Sequence, residues 1–211
     1  MITLLGKPAS INVRKVLWLC EELALPVALQ PWVSGHRDTR EPGFLVLNPN
    51  GLVPVLREAR PDGDFVLWES NTICRYLAGR ERRFDLLPAE PRPRALVEQW
   101  MDWQATELNS AWRYAFMALV RRSPAHTDAA ALQASVDAWN SHMALLDAQL
   151  ARTGAYAAGD AFTLADVVLG VSACRWALAP MQRPALAAVD AWWQRLARRA
   201  GYRLHADNGM A

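Results

Sequence analysis

The spacing of apolar residues changes along the chain, and the change divides it into two halves. Up to about residue 80, short apolar runs typical of strands alternate with helical spacing. The strand-like runs are "MITLLG", "PVALQPW", "VPVLRE" and "DFVLWE", and Asp62-Gly63 between the last two is a hairpin signal. With "FLVLNPNG" taken as a short helix or turn, the order is β-α-β-α-β-β-α, which is typical of a layered α/β domain.

The second half contains only helical patterns. Three prolines, Pro88, Pro91 and Pro93, mark the boundary. The helical patterns beyond it cover 92–121, 127–152, 164–178 and 185–199. We therefore predict an α/β domain over 1–79, a linker over 80–90 and an all-helical domain over 91–211.

Composition and charge exclude several classes of protein. The chain has 211 residues, of which 52% are apolar, so it can bury a sizeable core. Its 23 basic and 21 acidic residues nearly balance, which argues against a nucleic-acid or membrane-surface partner. No apolar run reaches the about 18 residues that a membrane span needs, and residues 1–25 lack the order of a signal peptide. Three widely spaced cysteines do not suggest a disulfide framework, so we expect a cytoplasmic protein.

The turn between the first strand and the first helix carries two polar candidates, Ser10 and Asn12. Either side chain could simply cap the helix. The functional alternative uses the same physics, because a helix N-terminus has free N–H groups and partial positive charge. A hydroxyl placed there can donate a hydrogen bond to a bound thiolate and favour its charged form.

The stretch "NPNGLVPVL" places Pro54 inside a strand-like run, where a proline cannot donate to a ladder. One explanation is an edge strand. The other is a cis bond between Val53 and Pro54, which would turn the main chain of Val53 outward. Its N–H and C=O could then pair with an extended, peptide-like ligand.

The stretch "LWESNTICRYL" opens the next helix. Ser70 is expected as its N-cap, and the free amides of such a first turn also suit a carboxylate. Glu69 could accept an ammonium group beside them, so the pair matches the two charges of an α-amino acid. Further along, Thr163 and Asp166 in "AGDAFTLADVVLG" resemble a capping box, for which we expect a structural role.

Several signatures are missing from the sequence. There is no Cys-x-x-Cys at the first turn, so a dithiol mechanism is disfavoured, and Cys20 is expected in the core. No glycine-rich nucleotide motif is present, and the four histidines lack metal-ligand spacing, so no metal site is expected. In the helical half, most tryptophans are expected in the core. A cleft facing the first domain could be lined by Trp103, Thr106, Arg113 and Tyr114.

The chain as a whole resembles the cytosolic glutathione transferases. The resemblance is carried, in order, by "SINVRKVLWLCEEL", "FLVLNPNGLVPVL", "WESNTICRYL" and "AGDAFTLADVVLG". It implies a thioredoxin-like domain followed by an all-helical domain, usually assembled as a homodimer. The first turn is similar to that of the bacterial, theta-like and delta-like members, which use a serine. Ser10 aligns best with that serine, and Asn12 is a credible substitute.

The resemblance also implies a glutathione site. Val53, presented by the cis-proline Pro54, would pair with the cysteinyl backbone, and Glu69 and Ser70 would hold the γ-glutamyl end. The glycyl carboxylate is expected near His36 and Arg37. Asp102 could reach the γ-glutamyl amine across a dimer interface.

The implied reaction is the attack of the glutathione thiolate on a hydrophobic electrophile, with glutathione as co-substrate. The pocket for the electrophile is expected to be hydrophobic and of moderate size. Two alternatives stay open: a glutathione-binding scaffold without turnover, and a glutathione-dependent reductase of disulfides or peroxides.

Overall fold

The computed structural model describes residues 1–32 and 37–210. Its first half contains a sheet of four strands in the order β2-β1-β3-β4. The strands are β1 (Ile2–Gly6), β2 (Val27–Pro31), β3 (Val55–Glu58) and β4 (Phe65–Trp68). β1 pairs with β2 in parallel and with β3 antiparallel, and β3 pairs antiparallel with β4. The predicted order of elements is therefore confirmed, including the hairpin.

Three helices belong to this half. They are α1 (Ile11–Glu22), α2 (Pro42–Leu45) and α3 (Ser70–Arg80). Apolar residues recur along α1 at helical spacing and are buried, and Leu4 and Leu56 are buried as directly paired residues of β1 and β3. α1 ends before Pro26, through a turn in which Ala24 adopts a φ of 50°. The half is thus a thioredoxin-like α/β layer.

The second half is entirely helical over the residues described. Its helices are α4 (Pro91–Trp103), α5 (Asn109–Leu119), α6 (Ala129–Thr153), α7 (Leu164–Leu178) and α8 (Ala187–Leu196). α4 and α5 are joined by a π-helical turn, Gln104–Leu108, and a second such turn covers Tyr202–Ala206. The predicted helix over 92–121 is therefore a continuous run with a π turn inside it, and the turn after α8 was not predicted. The domain limits 1–79, 80–90 and 91–211 stay a prediction.

The capping box at α7 is confirmed. The amide of Thr163 donates to Asp166 Oδ2 over 2.9 Å, and the carboxylate also accepts from the Ala157 amide and the Trp192 indole, each at 2.9 Å. Asp166 is fully buried, and burial raises its pKa to about 6. The Thr163 hydroxyl is a fourth donor to this carboxylate, at 3.2 Å. The four donors join α7, the loop before it and α8, so Asp166 organises the helical half.

One continuous apolar core joins the two halves. Trp18 of α1 is fully buried and packs against Tyr202, with ring centroids 5.4 Å apart. Two glycines leave room for this indole. A Cβ at Gly170 would lie 2.8 Å from Trp18, and one at Gly201 only 2.3 Å from it. Glycine is required at both positions because the indole fills the space that a Cβ would take.

The end of the chain is also tied to α1. The buried guanidinium of Arg14 donates to the carbonyl oxygens of His205 and Met210, each at 2.6 Å, and to that of Ala206. Among the residues described, no helix is both long enough and apolar enough to cross a membrane.

Candidate functional site

Three cavities meet at the beginning of α1, and Asn12 lines all three. The β3-side cavity, of about 280 Å³, is lined by residues that include Lys7, Ser10, Asn12, Trp32, Thr39 and Val53. The α3-side cavity, of about 230 Å³, is lined by residues that include Asn12, Lys15, Glu69, Ser70, Arg75 and Asp102. The α5-side cavity, of about 210 Å³, is lined by residues that include Ser10, Asn12, Trp112, Arg113, Phe116 and Arg175.

Ser10 lies where the β3-side and α5-side cavities join. It is the N-cap residue of α1, and its carbonyl oxygen accepts from the Arg14 amide over 2.9 Å. Its hydroxyl makes no capping hydrogen bond to the described residues of α1, so the capping interpretation is wrong for this side chain. Asn12 is the second residue of α1. A hydroxyl and an amide thus stand together at a helix N-terminus, where partial positive charge favours an anion.

The Val53–Pro54 peptide bond is cis. β3 begins directly after Pro54 and lies between β1 and β4, so the edge-strand explanation is wrong. Val53 precedes the strand, lies outside the strand ladder and lines the β3-side cavity.

The loop after β2 carries two of the predicted residues. His36 lies outside the described residues. Arg37 is exposed, and its guanidinium carbon lies 5.5 Å from the centroid of the Trp32 ring, which lines the β3-side cavity. Arg37 is therefore near this cavity through its contact with Trp32.

The first turn of α3 forms one wall of the α3-side cavity. Glu69, not Ser70, is the N-cap residue, and Ser70 is the first residue of the helix and is buried. Glu69 has a φ of 71°, a left-handed conformation that is costly for a residue other than glycine. Glu69 is exposed and lines the α3-side cavity together with Ser70, so this cavity contains both a carboxylate and the N-terminus of a helix.

Asp102 lines the same cavity of its own chain and pairs with Arg75. Arg75 also lies 3.3 Å from the carboxylate of Glu98. A carboxylate from the helical half is thus held beside Glu69 and Ser70 without a second subunit.

A buried polar network crosses between the halves at this point, and the sequence interpretation missed it. The Nζ of Lys15 donates to Gln104 Oε1 over 2.6 Å and to Asn71 Oδ1 over 3.3 Å. Gln104 in turn donates to Asn109 and Ser172, at 2.9 and 2.7 Å. Burial is the main reason that the pKa of Lys15 falls to about 8. The charge of Arg175 acts in the same direction, whereas Cys74 and Glu69 act in the opposite direction.

The α5-side cavity combines aromatic walls with basic groups. Arg175, near the end of α7, is only 4% exposed. Its guanidinium carbon lies 3.9 Å from the centroid of the Phe116 ring and 4.8 Å from that of Trp112. Burial lowers the pKa of Arg175 to about 9, with smaller contributions from the charges of Arg14 and Arg121. The cavity is therefore less hydrophobic than predicted.

The predicted pocket residues of the helical half separate in the structure. Arg113 lines the α5-side cavity. Trp103 packs among Trp100 and His142, with ring centroids 5.1 and 5.7 Å away. The hydroxyl of Tyr114 accepts from the Asp128 amide at the start of α6, over 3.0 Å, and exposed Thr106 donates to the Asp102 carbonyl. The structure does not bring Trp103, Thr106 and Tyr114 to the three cavities.

The α5-side cavity is lined instead by Trp112, Phe116 and Arg175, together with Arg113. Two signals in the sequence point to them. Trp112 and Phe116 are four residues apart, so they share a helix face. Arg175 is the one basic residue in the largely apolar α7 sequence "LADVVLGVSACRWAL". A charge in a buried helix needs a polar neighbour or a function.

Two family models match the chain. The model of the glutathione S-transferase N-terminal domain matches residues 9–80, and that of the C-terminal domain matches residues 109–200. Together they cover most of the sequence.

Individual proteins agree with the family models. The chain is 42% identical over 171 residues to glutathione S-transferase GstB of Escherichia coli strain K12, covering 80% of each chain. It is 33% identical over 208 residues to glutathione S-transferase 3 of Zea mays, covering 95% of this chain and 91% of the relative. The structure of a theta class glutathione S-transferase from Xanthomonas axonopodis pv. citri, with glutathione bound, is also similar. Its TM-score is 0.90 and its identity 34%, over 100% of this chain and 99% of that one.

Proposed function

The chain belongs to the glutathione S-transferase family, and on that premise we propose that it joins the glutathione thiolate to an electrophilic carbon. The observation that carries the proposal is the meeting of three cavities at the N-terminus of α1, around Asn12. Two of them suit the two ends of a peptide-like thiol, and the third suits the electrophile.

Glutathione is proposed to lie across the α3-side and β3-side cavities. Its γ-glutamyl end has one carboxylate and one ammonium group. The carboxylate fits the free amides at the start of α3, around Ser70, and the ammonium fits Glu69 and Asp102. The cysteinyl backbone would pair with Val53, and the glycyl end would extend toward Trp32 and Arg37.

This pose puts the sulfur beside Ser10 and Asn12. A free thiol has a pKa of about 8.5, so only a few per cent is ionised at neutral pH. A hydrogen bond to a charged group contributes about 1.5–3 kcal/mol, and a pKa shift of about one unit needs about 1.4 kcal/mol. One donor at the helix N-terminus is therefore enough to make the thiolate a substantial species. Ser10 or Asn12 acts as this hydrogen-bond donor, not as a nucleophile.

The reacting sulfur comes from glutathione, not from the protein. Cys20 and Cys74 are buried, and burial raises the pKa of each thiol to about 12. The thiolate attacks the electrophilic carbon, a C–S bond forms, and the leaving group departs with its electron pair. Trp112 and Phe116 supply aromatic surface for the electrophile in the α5-side cavity.

A homodimer in the cytoplasm is proposed from the resemblance to the family. Sedimentation at micromolar concentration tests the assembly, and a single species with the mass of one chain contradicts it.

The proposed function is tested by measuring glutathione binding by calorimetry and turnover with chlorodinitrobenzene on the same preparation. Glutathione binding with turnover that saturates in both substrates is the expected result. Val53→Pro, which removes the Val53 amide hydrogen, should weaken glutathione binding.

Two outcomes would contradict the proposal. Binding without turnover on any aryl halide favours a scaffold, and turnover restricted to disulfides or peroxides favours a reductase.

A further inference from the structure

The α5-side cavity carries a larger excess of positive charge than the other two cavities. Its basic lining residues are Lys7, Arg113, Arg121 and Arg175, and no acidic residue is among the described residues that line it. The α3-side cavity, by contrast, balances Lys15 and Arg75 against Glu69 and Asp102. The β3-side cavity has Lys7 as its one basic lining residue within the described chain.

Arg175 is the residue that makes this charge unusual. It is only 4% exposed, and its Nε atom has no hydrogen-bond partner among the described residues. Within that part of the chain, no carboxylate lies within 4.0 Å of its guanidinium. The guanidinium contacts the faces of Phe116 and Trp112 instead. A buried cation without an anion is unfavourable, and it is retained where a ligand supplies the missing charge.

Arg121, which follows α5, adds a second positive charge beside the same aromatic ring. Its guanidinium carbon lies 5.2 Å from the centroid of the Phe116 ring, so two guanidinium groups share one aromatic ring. The charge of Arg121 contributes to lowering the pKa of Arg175, so the two cations repel each other, and a bound anion would offset the repulsion. The bound thiolate would contribute one negative charge near Ser10. This one charge does not balance Arg113, Arg121 and Arg175, which line the same cavity.

We propose that the electrophile of this enzyme is an anion: an aromatic or apolar body that carries a carboxylate. The carboxylate would accept from Arg175, helped by Arg121 and Arg113, while the body lies against Trp112 and Phe116. This inference rests on the proposed function, since it names the second substrate of the same site. It replaces the purely hydrophobic electrophile that the sequence predicts.

The test compares two aryl chlorides of the same shape, a chlorodinitrobenzoate and the matching chlorodinitrobenzamide. In both, the chlorine is para to the acyl group and lies between the nitro groups. The thiolate forms the C–S bond, chloride leaves with the electron pair, and the thiol proton passes to solvent. Each enzymatic kcat/KM is divided by the rate of the uncatalysed reaction at the same pH, which removes the difference in intrinsic reactivity.

We expect this ratio to favour the benzoate by about tenfold or more, as one charge-assisted hydrogen bond allows. Arg175→Met should remove the preference while the benzamide is still turned over. Arg92 is an exposed cation at the start of α4, and Arg92→Met should keep the preference.

A binding measurement tests the same preference without turnover. Chlorine-free dinitrobenzoate should bind more tightly than dinitrobenzamide in the presence of S-methylglutathione, and Arg175→Met should abolish the difference.

The outcomes separate the two proposals. Equal ratios for the two aryl chlorides, or equal binding of their chlorine-free analogues, overturn the anionic electrophile and leave the transferase intact. Loss of turnover with both chlorides in the wild-type protein overturns the transferase itself. If Arg175→Met fails to fold, Arg121→Met, at an exposed position just after α5, replaces it, and an unchanged preference in that variant counts against the proposal.

Discussion

The Nζ of Lys15 in α1 lies 2.6 Å from Oε1 of Gln104, in the π-helical turn between α4 and α5. Both residues are buried, and they belong to different halves of the chain. Because Gln104 also donates to Ser172 of α7, this contact joins the α/β layer to the centre of the helical half. The same lysine lines the α3-side cavity, so the network that holds the halves together also forms part of the site.

Replacing Lys15 with methionine should change how stability depends on pH. Burial lowers the pKa of Lys15 to about 8 in the folded protein, below its ordinary value of 10.5. The unfolded chain therefore binds more protons between these values, so the free energy of unfolding from this group rises with pH. We expect the free energy of unfolding of the wild type to rise relative to that of Lys15→Met, by up to about 3 kcal/mol between pH 8 and pH 10.5.

The difference between the two proteins is the quantity to measure, by urea denaturation at several pH values. The buried cysteines act in the opposite direction, because burial raises the pKa of each thiol. They are present in both proteins, so most of their effect cancels. A difference that does not vary with pH would show that Lys15 keeps an ordinary pKa.

Removing the donor at the start of α1 should raise the pKa of the bound thiol. For Ser10→Ala we expect a rise of about one unit, with conjugation about tenfold slower at neutral pH and largely recovered in alkaline buffer. The thiolate absorbance of the enzyme–glutathione complex, followed against pH, measures this directly. Asn12→Ala in parallel identifies the donor, because only one of the two should shift the profile. If both variants keep the pH profile of the wild type, neither side chain contacts the sulfur.

Glu69 should recognise the ammonium group of the γ-glutamyl end. Glu69→Gln keeps the shape of the side chain but loses its charge, so we expect glutathione to bind about tenfold more weakly. A glutathione analogue without the α-amino group should bind the two proteins equally well, and calorimetry with both ligands makes the comparison. A similar loss for both ligands would assign Glu69 a structural role.

Gly170→Ala should destabilise the contact between the halves. The new Cβ would lie 2.8 Å from the Trp18 ring and 3.2 Å from Leu196, and both neighbours are fully buried. Overpacking of this kind costs about 1–3 kcal/mol, which a fall in the urea midpoint would report. Gly79→Ala is the matched control in α3, where a Cβ meets nothing within 4 Å. The control should be neutral or stabilising by about 0.5–1 kcal/mol, and equal effects of the two variants would refute the packing argument.

The sequence predicted the elements well because they depend on local periodicity. The strands of the first half and helix 164–178 follow from apolar spacing, and the capping box at Thr163 follows from a short motif. The turn at Ser10 and Asn12 was found because a strand signal meets a helix signal there. Trp112, Phe116 and Arg175, which line the α5-side cavity, were missed. Arg175 contacts the two rings from a helix about sixty residues further along the chain, and no local pattern records such a contact.

The anchoring of Arg14 by His205, Ala206 and Met210 has a consequence for biosynthesis. The three carbonyls lie 191 to 196 residues after Arg14, so a ribosome makes α1 long before it makes them. The guanidinium must therefore stay solvated until residues 205–210 have been synthesised, and only then can it enter the interior. A nascent chain that stalls before residue 205 lacks all three contacts.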